Sequence, residues 1–265
     1  MNPGPPASPL IGVFDSGCGG LSILRSLRRA LPATPVRYLA DNRHLPYGDK
    51  PAEWLEARAG QLTQYLLQGG ATLILIACNT ATTHTIAALR ARWPSVPFVG
   101  VEPGIKPAVA GSRARRVAVL ATSATLASAR LNELIRDHAA DATILRRPCP
   151  GLADAIDCGD DKAIDARLDD ACAALRDAGV DTVVLGCTHY PLVADRVAAR
   201  LGPAISLIDT ADAVSRRVAA LLGCAGSATA SPAAIELRAT GDAELLTRAA
   251  RRWIDPGLLA AHCGV

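Results

Sequence analysis

Apolar residues along this chain fall into short unbroken runs, separated by stretches of helical period. The runs at residues 10–14, 36–39, 72–76, 98–101, 117–120, 143–145, 182–185, 205–208 and 235–239 are mostly continuous rather than alternating with polar positions. A strand with one water-facing side alternates; a strand covered on both faces does not. These runs therefore predict parallel sheets flanked by helices. Between them lie Ala-, Leu- and Arg-rich segments with helical spacing, at 21–30, 53–68, 80–91, 126–139, 164–178 and 192–200. Strand followed by helix, repeated, is the α/β class.

The pattern also repeats at long range. Gly70 leads through an apolar run to Cys78-Asn79-Thr80, and Gly179 leads through another to Cys187-Thr188-His189. Upstream, the run from Ile11 to Asp15-Ser16 matches the run from Val117 to Ala121-Thr122. Two copies of one unit are expected: two pseudo-symmetric α/β domains with mostly parallel sheets, facing each other across a central cleft. The run at 235–239 has no second-half copy, so it is expected to return to the first sheet. The expected boundaries are a disordered tail at 1–9, a discontinuous first domain at 10–101 plus about 215–265, and a second domain at about 102–214.

Composition narrows the function classes. The chain has 265 residues, half of them hydrophobic, which is ample for a filled core. Its 28 basic and 25 acidic residues are scattered, with no basic run interleaved with aromatics, so no nucleic-acid partner is expected. The Pro- and Ser-rich start has no charged n-region or apolar h-region, and no apolar run approaches a membrane span. A cytoplasmic protein with no membrane partner is expected. The eight cysteines include no Cys-x-x-Cys and no Cys/His zinc spacing, so reduced thiols and no metal are expected.

The chemistry is suggested by the repeat. Each of Cys78 and Cys187 ends a buried strand where a helix is expected to begin. Ligands of open α/β sheets bind at that end, and the free N–H groups of a helix start attract anions and lower a thiol pKa. Two such thiols on opposite sides of one carbon suit stereoinversion: one removes the α-proton and the other returns a proton to the opposite face. The copies differ where protons are managed. Asp15 aligns with Ala121, and His189 aligns with Thr80, so Asp15 is the expected helper of Cys78 and His189 that of Cys187. Cys18, in the turn Asp15-Ser-Gly-Cys-Gly-Gly20, reads as packing.

The motifs Asp15-Ser-Gly-x-Gly-Gly20, Pro46-Tyr-Gly48, Ala77-Cys-Asn-Thr-Ala-Thr82, Gly100-Val-Glu-Pro-Gly-Ile-Lys-Pro107 and Leu185-Gly-Cys-Thr-His-Tyr-Pro191 occur in an order that resembles the bacterial glutamate racemase family. The resemblance runs from about Ile11 to Trp253. It implies a small-molecule substrate, L- or D-glutamate, a role in supplying D-glutamate to the cell wall, no cofactor, no metal, and a homodimer. It implies that Cys78 deprotonates D-glutamate and Cys187 deprotonates L-glutamate. Asp15, Ser16, Tyr47, Gly48, Asn79, Thr80, Thr188 and His189 carry over as substrate contacts, with Thr122 and Thr125 as further ones. The family often has Glu where Asp157 stands, which makes Asp157 a candidate helper, and the position of Cys18 is usually apolar. The alternatives are a racemase of aspartate or a hydantoin, a bilobal binding protein that would tolerate loss of both thiols, and a thiol–disulfide oxidoreductase, which would want the missing Cys-x-x-Cys.

Overall fold

The computed structural model describes residues 9–176, 178–223 and 231–265; residues 1–8 of the expected tail, and Cys224, lie outside them. The chain runs β1 (Leu10–Asp15), α1 (Leu21–Ala30), β2 (Val36–Ala40), α2 (Ala52–Gln68), β3 (Ala71–Ile76), α3 (Asn79–Arg92), β4 (Phe98–Gly100) and α4 (Ile105–Gly111). It continues β5 (Arg116–Ala121), α5 (Ser123–Ala127), α6 (Ala129–His138), β6 (Thr143–Pro148), α7 (Leu152–Cys158), α8 (Asp161–Arg176), β7 (Thr182–Leu185), α9 (Ala194–Leu201), β8 (Ser206–Ile208), α10 (Ala211–Leu222), β9 (Ile235–Ala239), α11 (Ala243–Trp253) and β10 (Ala260–His262). Among the described helices none is long and apolar enough to cross a membrane.

The strands form two sheets, ordered β10-β9-β2-β1-β3-β4 and β6-β5-β7-β8. Every described pairing is parallel. β9 pairs with β2, so the 235–239 run does return to the first sheet. The continuous apolar runs explain this architecture. Five of the six β1 residues are buried, and all four of β7. Helices cover the faces with one apolar side each. In α1, Leu21, Ile23, Leu24 and Leu27 are buried, while Arg28 and Arg29 occupy the last turn, where a cation complements the helix dipole.

The register places the chemistry. β1 lies between β2 and β3, with Phe14 opposite Ile76, so Asp15 and Cys78 emerge side by side at the carboxyl edge. β5 lies between β6 and β7, with Leu120 opposite Leu185, so Thr122 and Cys187 emerge likewise.

Three local expectations need correction. The helix expected over 126–139 is two helices, because Ser128 is extended (φ −66, ψ 143) and its Oγ accepts the Leu131 N–H as a new N-cap. The edge strand β10, beyond the last expected helix, was not expected. Finally, Cys187 does not open an α-helix as Cys78 does. A 3-10 turn at Tyr190–Val193 comes between it and α9.

Candidate active site

One pocket at the carboxyl edges of both sheets is lined by Ser16, Tyr47, Gly48, Cys78, Asn79, Thr80, Thr122, Thr125, Cys187, Thr188 and His189. All of these were named from sequence. Asp15 and Asp157 are buried and do not belong to this lining. Leu45, Pro46, Ala153 and Asp154 also line the pocket and were missed. The last two sit on α7.

On the first side, Cys78 is the N-cap of α3, and its Sγ accepts the Ala81 N–H at 3.4 Å. The thiol reaches Ser16 Oγ at 3.9 Å. The Ser16 hydroxyl and N–H both donate to Asp15 Oδ1, at 3.4 and 2.7 Å. Asp15 Oδ2 accepts the Gly20 N–H at 2.5 Å and the Tyr38 hydroxyl at 3.4 Å. Asp15 thus reaches Cys78 through Ser16. Burial raises the Asp15 carboxyl to about 6, against the lowering by His189 and by the Gly20 N–H. The helix start was expected to lower the Cys78 thiol. Instead it is pushed up to about 12, because burial, and then the Asp15 charge, outweigh the Ala81 N–H.

On the second side, Cys187 Sγ lies 3.6 Å from His189 Nδ1, and His189 Nε2 lies 2.8 Å from Asp157 Oδ2. Asp157 Oδ1 accepts the Cys18 N–H at 2.7 Å, a contact from the other half of the chain. Burial alone would raise Asp157 and lower His189. Their mutual attraction wins in both, holding Asp157 below the carboxylate range and His189 well above the imidazole range. His189 is therefore an imidazolium beside Cys187, with Asp157 as its counter-charge.

The Gly-rich turn exists for this contact. A Cβ on Gly17 would overlap the Asp157 carboxylate, and one on Gly19 would overlap the His189 ring and the Thr188 hydroxyl. Only a chain without side chains there lets the second half come this close. The Ser22 hydroxyl fastens the same junction by donating to the Thr188 carbonyl at 2.8 Å.

Across the cleft the Thr80 hydroxyl lies 3.2 Å from that of Thr122 and 3.3 Å from that of Thr125, and these two are 3.1 Å apart. Tyr47 is held by its hydroxyl, which donates to Asp41 at 2.7 Å; Arg58 grips the same buried carboxylate at 2.6 and 2.9 Å. Asn79 Nδ2 donates to the Val101 carbonyl at 3.3 Å. No Lys or Arg lines the pocket among the described residues. Apart from His189, a bound carboxylate here meets hydroxyls and backbone N–H groups.

Comparison with known proteins identifies the family. The family model described as Asp/Glu/Hydantoin racemase matches residues 11–218. A glutamate racemase of Pseudomonas aeruginosa strain PAO1 is 45% identical over 217 residues, which is 81% of this chain and 82% of that protein. A solved glutamate racemase isoform of Bacillus anthracis superposes with a TM-score of 0.84 at 27% identity over 97% of both chains. The Escherichia coli glutamate racemase, solved with L-glutamate and an activator, gives 0.78 at 29% identity over 96% of this chain and 97% of that one. A Picrophilus torridus aspartate racemase, 16% identical, shares the fold with a TM-score of 0.60. This chain is an amino-acid racemase that belongs to the Asp/Glu/Hydantoin racemase family, and within it to the glutamate racemases.

Proposed function

We propose that the chain interconverts L- and D-glutamate by a two-base proton transfer between Cys78 and Cys187, without a cofactor. The observation that carries this reading is a pair of thiols at repeat-equivalent strand ends, lining one pocket, each two contacts from its own buried carboxylate. Cys78 connects through Ser16 to Asp15, and Cys187 through His189 to Asp157.

In this reading the substrate carboxylates lie on Thr80, Thr122, Thr125 and the α3 amides, with Asn79, Thr188, Tyr47 and Gly48 shaping the rest. Cys78 removes the proton from the D-enantiomer, with Asp15 drawing the thiol proton through Ser16 beforehand. Cys187 removes it from the L-enantiomer, its thiolate balanced by the His189 imidazolium. In each direction the opposite thiol returns a proton to the carbanion. Pre-set N–H and hydroxyl dipoles around the carboxylate stabilise that carbanion without reorganising. The two-domain division at 10–101 plus about 215–265 and about 102–214, a role in supplying D-glutamate to the cell wall, cytoplasmic residence and a homodimer belong to the same reading. Sedimentation of a monomer only at working concentration would remove the last.

The test is circular dichroism of L- and of D-glutamate with purified protein and no added cofactor. Both enantiomers are expected to lose optical activity, and Cys78→Ala and Cys187→Ala are each expected to stop this. No change with glutamate but racemisation of aspartate or a hydantoin would move the substrate assignment and leave the mechanism. Full activity in either alanine variant would end the two-thiol mechanism.

A further inference from the structure

Behind the substrate pocket, three metal-ligating side chains from three distant segments meet. Cys18 comes from the turn after β1, Asp157 from α7 and His189 from the segment after β7. Their ligand atoms all lie within 4.8 Å of one another, and all three residues are buried. We propose that Cys18, Asp157 and His189 form a thiophilic metal site, taking Zn2+ or a similar cation, that shuts the enzyme off by capturing the His189–Asp157 pair. The proposal rests on the role given above to that pair.

The donor set suits such an ion. A thiolate, an imidazole nitrogen and a carboxylate oxygen are the three ligand types of zinc, and a tetrahedral site with these bond lengths needs ligand atoms about 3.4–3.6 Å apart. The cluster therefore has to contract by little more than about 1 Å. Charge balances too. The resting pair is an imidazolium with a carboxylate. A dication held by a Cys18 thiolate, Asp157 and a neutral His189 also carries no net charge, the thiol and imidazolium protons passing to solvent. Access does not require the substrate pocket. Asp157 also lines a second cavity, between α7 and α11, with Cys158 and Arg248 among its walls. Cys18 itself does not line the substrate pocket. His189, in contrast, lines the substrate pocket, so its capture should disable proton handling at Cys187.

The experiment titrates reduced, chelator-treated protein with Co2+ and reads the thiolate-to-cobalt charge-transfer absorption, then repeats it on Cys18→Val and Cys18→Ser. Racemisation is followed in parallel with added Zn2+. One equivalent of Co2+ is expected to give the band in the wild-type chain. Cys18→Val is expected to lose it while still racemising glutamate, and to need about 100-fold more Zn2+ for half-inhibition. Zn2+ is expected to lower kcat. Should Cys18→Val fold poorly by circular dichroism, Cys18→Ser, a weaker ligand of similar size, decides by the same shift in smaller measure. A missing band, or one that survives in both variants, would overturn the proposal, the latter because it places the metal on other thiols. The cobalt spectrum is read without substrate, and racemisation is first measured with chelator present. Failure of the metal site and failure of the glutamate assignment are therefore told apart.

Discussion

Two buried carboxylates in this site carry opposite perturbations, and each leaves a different trace in pH. Asp15 is raised from 3.8 to about 6, chiefly by burial. Folding thus favours its protonated form. That stabilisation is complete below pH 3.8 and is lost as pH rises through 6, about 3 kcal/mol over the window. Denaturant titrations of the wild-type chain should show this decline between those values, and Asp15→Asn should lack it; parallel curves would refute the assignment. Activity should fall on the acid side with an apparent pKa near 6, as Asp15 becomes unable to accept a proton. Asp157 behaves in reverse, whereas His189, raised like Asp15, stabilises in the same sense as Asp15 at higher pH. The lowered carboxyl stabilises above its ordinary value, and the raised imidazole does so until pH passes its elevated one. Asp157→Asn leaves a buried imidazolium unpaired, expected to cost about 3–5 kcal/mol and to cut kcat by about 100-fold. A downward move of the His189 titration by NMR would separate this from mere loss of packing, and an unmoved one would deny the pairing.

At the level of elements, the sequence disclosed what periodicity can disclose. All nine expected strands form, the central β1, β3, β5 and β7 because continuous apolar runs suit a doubly covered sheet. Both thiols and the expected substrate contacts other than Asp15, which does not belong to the lining, reach the pocket, because the repeat fixes which strand ends face it. What escaped notice was decided by single residues or by distant partners. Ser128 splits one helix with its own hydroxyl, and Ser128→Ala should cost about 1 kcal/mol by urea unfolding. α7 starts and ends at glycines with positive φ, Gly151 (73°) and Gly159 (70°), so its local signal is that of two turns. Asp154 went unseen with it. β10 consists of Ala260–His262, which has no strand propensity and exists by pairing with β9. The Cys78 pKa was misjudged since the helix start is visible in sequence and the depth of burial is not. The turn at Gly17–Gly20 offers a matched pair of substitutions. Gly19→Ala should reduce racemisation sharply by displacing His189, whereas Gly111→Ala, with open space around its Cβ, should leave activity intact. Equal activities would show that the close approach is dispensable.

For the whole molecule, the two sheets share one apolar cluster. Leu73 and Leu75 of β3 belong to it with Ala118 and Leu120 of β5 and Val183 of β7. Scanning calorimetry should therefore give one transition; two resolved transitions would mean that the halves fold independently. Both relays converge on one pocket, yet they are chemically unlike: hydroxyl and carboxylate on one side, imidazolium and carboxylate on the other. Mirror-image glutamates have equal free energy in water, so kcat/KM must be the same in both directions however lopsided the machinery. Damage to the Asp15 side must slow both directions alike by that ratio. The lopsidedness can surface only in which proton transfer limits the rate. With Asp15 impaired, deuterium at the α-carbon should slow D-glutamate more and L-glutamate less than in the intact enzyme, and with Asp157 impaired the two enantiomers should exchange these behaviours. Isotopic substitution thus gives a way to weigh each flank of the pocket separately, although net turnover is indifferent to the side from which it is approached.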